Sequence, residues 1–451
     1  MSSSPLTDQP DGEALPQICD VLIIGGGPAG STAATLLAER GRHVVMLEKE
    51  THPRFHIGES LLPNNLSIIQ RLGVLEEVRA IGVYKPGAQF VSDEHGQDVA
   101  FEFKNGLDKR WTYSFHVERA AFDKLLFDNA RAKGAMALEA MRVTTVELAQ
   151  GSARSTVKAV DGTGKQHVFA PRFVIDASGR DACLATRLKI KEVNRQNNTA
   201  ALFGHLKGVE PLTQPDVGNI VVHLLKEGWC WAIPLPNGVT SIGIVSNAAF
   251  FNRRTGSQED FFWEVLRASP SMGPRIANAT LLEPVRATGN YSYKARSMVG
   301  ENHILVGDAF AFIDPVFSSG VMLAMTSAER GALAVHAHLD DPQKAKPLFA
   351  QFERHVQGAM GAFSWLIYRI NKPVLRDMFM APRNQFGMRD GLVSLLAGSW
   401  NHGVRSRVPV LAFKGAYYFL QTAYRMGYRV RRDVGMTKRA EIEGPNWRNA
   451  A

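Results

Sequence analysis

An α/β fold interrupted by a second, antiparallel sheet and followed by a mostly helical C-terminal region is predicted by three observations. First, a short apolar run at residues 19–24 ends in Gly25-Gly26-Gly27-Pro28-Ala29-Gly30, followed by an Ala/Leu-rich stretch (31–40) and another apolar run (43–48). Strand, glycine turn, helix and strand within about thirty residues form a Rossmann-type βαβ unit. Second, residues 89–103, 143–169, 201–206, 219–225 and 240–245 are alternating or β-branched and are broken by Asp-Gly, Asn-Gly and Gly turns. They read as one antiparallel sheet inserted into the nucleotide-binding domain. Third, helical periodicity dominates from residue 321 to about residue 432.

The domains are therefore expected to interleave. A nucleotide-binding domain takes 18–88, part of 104–200 and 290–345. A substrate domain takes 89–103 and 200–290, and a helical region takes 346–451. Residues 119–133 have a helical pattern, while 173–177 and 303–306 are brief apolar strands returning to the first domain. Residues 1–17 are polar and acidic, without the basic start and apolar centre of a signal peptide, and read as a disordered leader.

Composition narrows the function classes. Of 451 residues, 45% are apolar and 21% charged, a balance that allows a full core. No run reaches the eighteen or so apolar residues of a membrane span. Three widely spaced cysteines, Cys19, Cys183 and Cys230, suit neither a disulfide framework nor a metal site, so a cytoplasmic protein without metal is expected. The net charge of +9 could attract nucleic acid, an anionic membrane or an acidic protein. Much of the excess lies in residues 424–438, and a solvated basic helix or tail is favoured there over a nucleic-acid partner.

The glycine turn has a chemical reason. Gly25 permits a sharp turn, Gly27 lets the backbone approach a pyrophosphate, and Gly30 lets helix and strand pack closely, with Ala29 between them. The helix start offers N–H groups and a partial positive charge to phosphates. Glu48, at the end of the second strand, is placed to accept hydrogen bonds from a ribose and would repel a 2′-phosphate. These residues leave NAD and FAD both open.

Three further segments resemble the large family of para-hydroxybenzoate hydroxylase: Gly307-Asp308-Ala309, Arg119 in His116-Val117-Glu118-Arg119, and Asp176-Ala177-Ser178-Gly179-Arg180. The resemblance implies FAD, with Asp308 on the ribityl hydroxyls and Arg119 beside the flavin. No second GxGxxG is present for a nicotinamide cofactor.

Within that superfamily, residues 19–383 resemble the flavin-dependent halogenases of the phenol and pyrrole type. Phe55-His56-Ile57-Gly58-Glu59-Ser60 matches a "GES" segment that contacts the flavin, implicating Ser60. Lys85, in Val83-Tyr84-Lys85-Pro86-Gly87-Ala88, matches the lysine at the end of the tunnel from flavin to substrate. Trp229-Cys230-Trp231-Ala232-Ile233-Pro234 matches WxWxIP, which implies that Trp229, Trp231, Ile233 and Pro234 line the flavin side. Asp314-Pro315-Val316-Phe317-Ser318-Ser319-Gly320 completes the flavin loop, with Pro315 and Gly320 at the cofactor and the amides of Ser319 and Gly320 on chloride.

The resemblance implies an enzyme using reduced FAD (FADH2), O2 and chloride or bromide. A separate flavin reductase would supply the FADH2, and Lys85 would deliver hypochlorous acid to a small electron-rich aromatic. The glutamate that assists the lysine of tryptophan halogenases has no identified counterpart, which disfavours free tryptophan. Trp365, Tyr368, Phe379, Phe386 and Trp400 could wall a substrate chamber, although plain core is the commoner use of aromatics at helical spacing. The basic residues 424–438 would suit an acidic carrier protein presenting a tethered aromatic. An FAD-dependent aromatic hydroxylase, an isoprenoid-type flavoprotein reductase and an inactive flavin-binding protein are the rival readings.

Overall fold

A computed structural model describes residues 15–314, 316–400, 404–431 and 435–438. The strand β1 (Gln17–Ile24) is followed by the helix α1 (Pro28–Ala38) and by β2 (Val44–Leu47). These build a seven-stranded sheet in the order Met136–Leu138, β2, β1, Gln166–Asp176, Thr156–Val160 and Arg142–Glu147, with His303–Leu305 also paired to Gln166–Asp176. Ile24 lies opposite both Leu47 and Asp176. That register brings Gly25, Glu48 and Ala177 to the carboxyl edge of the parallel part of this sheet, where α/β folds bind their ligands. Gln17 already belongs to β1, so the polar leader ends earlier than expected; residues 1–14 lie outside the described residues.

The second sheet has nine strands. Its path runs Ala311–Phe312, Arg286–Ala295, Lys191–Lys207, Val239–Asn247, Gly228–Pro234 and Ile220–Leu225. It ends on β4 (Gly87–Ser92) and β5 (Gln97–Glu102), and Thr280–Leu281 pairs with Lys191–Lys207. Two expectations need correction. The strands within 143–169 join the first sheet, because Thr156–Val160 pairs with the start of Gln166–Asp176, whose other half lies beside β1. Alternation marks a strand but not its partner. The second sheet is also not wholly antiparallel, since Ile220–Leu225 runs parallel to β4. Its strand Arg286–Ala295 extends past residue 290, where the nucleotide-binding domain was expected to resume.

The strand β3 (Gly82–Lys85), which precedes β4, forms a two-stranded ladder with β6 (Ser114–Val117), which precedes the helix Arg119–Ala132. The helix Ser319–Asp340 packs on α1, and among the described residues the α-helices Pro342–Ile367, Pro373–Met380, Met388–Leu396 and Val404–Arg425 follow it. Phe379 packs against Phe90 and Phe101, with ring centroids 4.8 and 5.6 Å away. One apolar cluster thereby joins the second sheet to the C-terminal helices. Phe386, in contrast, is exposed and walls nothing.

The basic C-terminal segment also departs from expectation. Arg429, on the strand Tyr428–Arg431, is buried and pairs with Asp377 at 2.7 Å and Glu94 at 2.8 Å. His95 reaches the same Asp377 carboxylate at 2.9 Å. Arg429 thus clamps its strand to the turn between β4 and β5 and to the helix Pro373–Met380 rather than contributing a free cation. Removing one partner of a buried pair leaves the other charge desolvated, so Arg429→Met is expected to cost about 3 kcal/mol. Denaturant unfolding of the variant would show this as a lower midpoint, and an unchanged midpoint would refute it. Arg432 lies outside the described residues.

Candidate active site

A cavity of about 760 Å³ opens where the carboxyl edge of the first sheet meets the second, a volume typical of cofactor sites. Gly25, Gly27, Ala29, Glu48, Ser60, Arg119, Asp308 and Gly320 line it, together with Trp229, Trp231 and Ile233. Segments as far apart in sequence as Ile24 and Ala324 converge here. Pro234 is not among the lining residues, and Pro315 lies outside the described residues.

The three glycines differ in what constrains them. Gly25 has φ +103°, and a Cβ there would overlap the Ala177 carbonyl. A Cβ on Gly30 would overlap the Gly25 carbonyl. Gly27 faces open space, its nearest neighbour being an Arg54 guanidinium nitrogen 3.6 Å away. Two glycines therefore close the turn, while the third leaves room for a ligand.

Glu48 does more than wait for a ribose. Its carboxylate accepts from the Gly26 N–H at 2.7 Å and from the Glu50 N–H at 3.0 Å, which ties the glycine loop to β2. Arg54 is 3.7 Å from Glu48 and 3.2 Å from Asp123. Arg119 forms a two-pronged pair with Asp123, at 2.7 and 2.9 Å, and donates to the Ile57 carbonyl at 2.8 Å. The sequence reading missed Arg54, which sits in an irregular loop with nothing to mark it. Asp123 could have been found from its i, i+4 spacing to Arg119. Asp176 caps the turn after its strand, accepting from the Ser178 and Leu184 N–H groups.

Asp308 is held on a short 3₁₀ turn, Gly307–Ala309. Burial pushes its carboxyl up to about 6, opposed by the charges of Arg180 and Arg119. Ser318 adopts φ +57° and starts the 22-residue helix Ser319–Asp340. The first-turn N–H groups of a helix have no partner within it, and here Gly320 is at the cavity wall. Ser319 is buried beside it, and its hydroxyl has no partner. An open Gly27, the cations Arg54, Arg119 and Arg180, a buried carboxylate at Asp308 and a helix start suit a dinucleotide flavin with its pyrophosphate and ribityl chain.

Trp229 and Trp231 project from the same face of Gly228–Pro234, with ring centroids 5.8 Å apart. The Trp231 indole lies over Gly243 on the next strand, where a Cβ would collide with the ring, and donates to Ser241 Oγ at 3.2 Å. Gly243 is what lets that indole lie flat against the sheet.

Lys85 is 1% exposed. Its Nζ donates to Ser60 Oγ and to the Leu61 carbonyl, both at 2.8 Å, and lies 5.2 Å from the centre of the Phe103 ring. It does not line the cavity itself; Ser60 stands between. The registers explain this. Lys85 opposes Ser114, and Ser60 bridges to His116, so all four side chains occupy one face of the ladder. Desolvation lowers the lysine to about 7. His116 donates through Nε2 to the Gly218 carbonyl at 2.9 Å. Glu59, beside Ser60, is buried and pairs with His205 at 2.5 Å, a contact the sequence reading missed because the partner lies 146 residues away.

The lysine carries a stability signature. Its pKa is lowered on folding, so the unfolded chain binds more protons between about pH 7 and the ordinary lysine value. Stability from this group rises with pH through that window and is lost below it. Lys85→Met is accordingly expected to be more stable than the parent by about 1–3 kcal/mol at pH 7, after allowance for two abandoned acceptors. The gain should vanish near pH 10, and thermal unfolding at both pH values would reveal it. A pH-independent difference would argue that the lysine is not desolvated.

Residues 18–342 match the FAD-binding domain family. Over 420 residues the chain is 31% identical to a 1H-pyrrole-2-carbonyl-[peptidyl-carrier protein] chlorinase of Pseudomonas fluorescens, covering 86% of this chain and 91% of that one. The chain belongs to the flavin-dependent halogenase family. A second family member, tryptophan 2-halogenase of Chondromyces crocatus, is 38% identical over 329 residues, 71% of this chain. That match spans 62% of the relative's length. Among solved structures, the FAD-dependent myxobacterial chondrochloren halogenase superposes with a TM-score of 0.75 at 30% identity, covering 89% of this chain and 98% of that one. As a member of that family the chain is an FAD-dependent enzyme. No helix among the described residues is long and apolar enough to cross a membrane.

Proposed function

We propose that this halogenase family member uses FADH2, O2 and chloride or bromide to halogenate an electron-rich phenolic or pyrrolic ring, free or tethered to an acyl carrier protein. The observation that carries the reading is Lys85, a fully buried lysine hydrogen-bonded to Ser60, which lines the cavity together with Trp229 and Trp231. Bound reduced FAD would supply the two electrons with which O2 and halide become hypohalous acid and water. The residues then have distinct tasks. Ser319 and Gly320, at the helix start, would hold the halide against the cavity. Trp229, Trp231 and Ile233 would keep an organic substrate away from the flavin side and exclude water. Ser60 would orient Lys85, whose amine near neutrality is partly uncharged and can hydrogen-bond hypohalous acid or take its halogen as a haloamine.

Since the chain has one dinucleotide motif, FADH2 would come from a separate flavin reductase. Tryptophan is a second candidate substrate, favoured by the name of the 38% identical relative. The test supplies the protein with FAD, a flavin reductase, NADH, O2 and halide, then offers phenols, pyrroles, tryptophan and carrier-bound acyl forms, with products read by mass spectrometry. Halogenated product is expected. A hydroxylated product formed equally without halide would instead identify a monooxygenase.

A further inference from the structure

The helix Val404–Arg425 turns Phe413 and Tyr417 into the core. Its opposite side carries an apolar stripe in full solvent. Val408 is 55% exposed, Leu411 65%, Phe419 65% and Met426, just past the helix end, 67%. At 100° per residue these fall on one side, and 408–426 spans about 27 Å. Arg407, Lys414 and Arg425 fall together along one edge of the stripe. No Asp or Glu occurs between residues 404 and 425, in a chain whose net charge is +9. On the same flank, Lys414 and Arg369 sit over the Trp365 ring at 5.2 and 4.8 Å, and the Trp365 indole donates to the Tyr418 hydroxyl at 3.1 Å.

We propose that this face is a docking surface for an anionic lipid membrane, on which the helix lies without crossing. Three features select that occupant. The stripe is a convex helix flank, whereas a partner helix is normally received in a groove. It offers few hydrogen-bonding groups, although protein interfaces carry about one hydrogen bond per 100–200 Å². Aliphatic and aromatic side chains bordered by cations, with a Trp and a Tyr at the margin, are what the headgroup boundary accepts. A second copy of the chain is disfavoured, because antiparallel pairing of two such helices would set Arg407 against the partner's Arg425. The inference is independent of the reaction catalysed.

The test is sedimentation of the full FAD-loaded chain with vesicles of phosphatidylcholine alone or mixed with 30% phosphatidylglycerol. Binding to the mixed vesicles and not to the neutral ones is expected. Each of Arg407→Gln, Lys414→Gln and Arg425→Gln should weaken binding roughly fivefold. The double variant Leu411→Glu/Phe419→Glu should abolish it while retaining flavin absorbance and the parent circular dichroism. No binding to anionic vesicles, or binding unaffected by the double variant, overturns the proposal. So does a dimer in light scattering that the double variant dissociates, because a second copy would then cover the stripe.

Discussion

Lys85→Ala is expected to lower halogenated product by on the order of 10³-fold, the range for loss of one group acting directly on the reacting atoms, with FAD retention unchanged. The separation follows from the geometry, since Lys85 lies behind Ser60 and outside the cavity wall. Lys85→Arg distinguishes the two roles open to the amine. Arginine stays cationic at any accessible pH and cannot accept halogen as a neutral amine. A haloamine route therefore predicts that arginine is as inactive as alanine, whereas a purely hydrogen-bonding role predicts partial activity. The haloamine route also predicts that activity rises with pH through about 7, as the buried ammonium loses its proton. If Lys85→Ala makes product at the parent rate, the assignment of the lysine is wrong.

Gly27→Val is expected to fold and to lose FAD by at least 100-fold in affinity, whereas Gly30→Val is expected not to fold at all. Both are glycines of one motif, but their surroundings differ. A side chain on Gly30 would enter the Gly25 carbonyl at the crossing of α1 and β1, where no flexible neighbour can yield. A side chain on Gly27 meets only an arginine tip at 3.6 Å and projects where the pyrophosphate must approach. Flavin absorbance after gel filtration, with circular dichroism as the folding check, measures both. Soluble, flavin-bound Gly27→Val would place the phosphates elsewhere.

What sequence showed well was local. The glycine turn between two apolar runs identifies a βαβ unit because its steric requirements are met within about thirty residues. Glu48 was legible for the same reason, as the end of the second strand. Arg54 was not, because its approach to Gly27, Glu48 and Asp123 depends on the path of an irregular loop. Strands within 143–169 could be recognised by alternation, but not assigned to a sheet, since their partner strands are chosen by long-range pairing. Arg429 read as one more solvated cation until its strand brought it to Asp377 and Glu94.

The sequence by itself determined the dinucleotide turn, the order of the flavin segments and the resemblance that singled out Lys85, Trp229, Trp231, Ser319 and Gly320. Only the tertiary structure decided which of them share a wall. It set Ser60 between the cavity and Lys85, removed Lys85 from water, and laid Trp231 across Gly243. The physical reason is that burial and hydrogen-bond pairing belong to neighbours brought together from distant parts of the chain, whereas a turn's conformational demand belongs to the residues that make it.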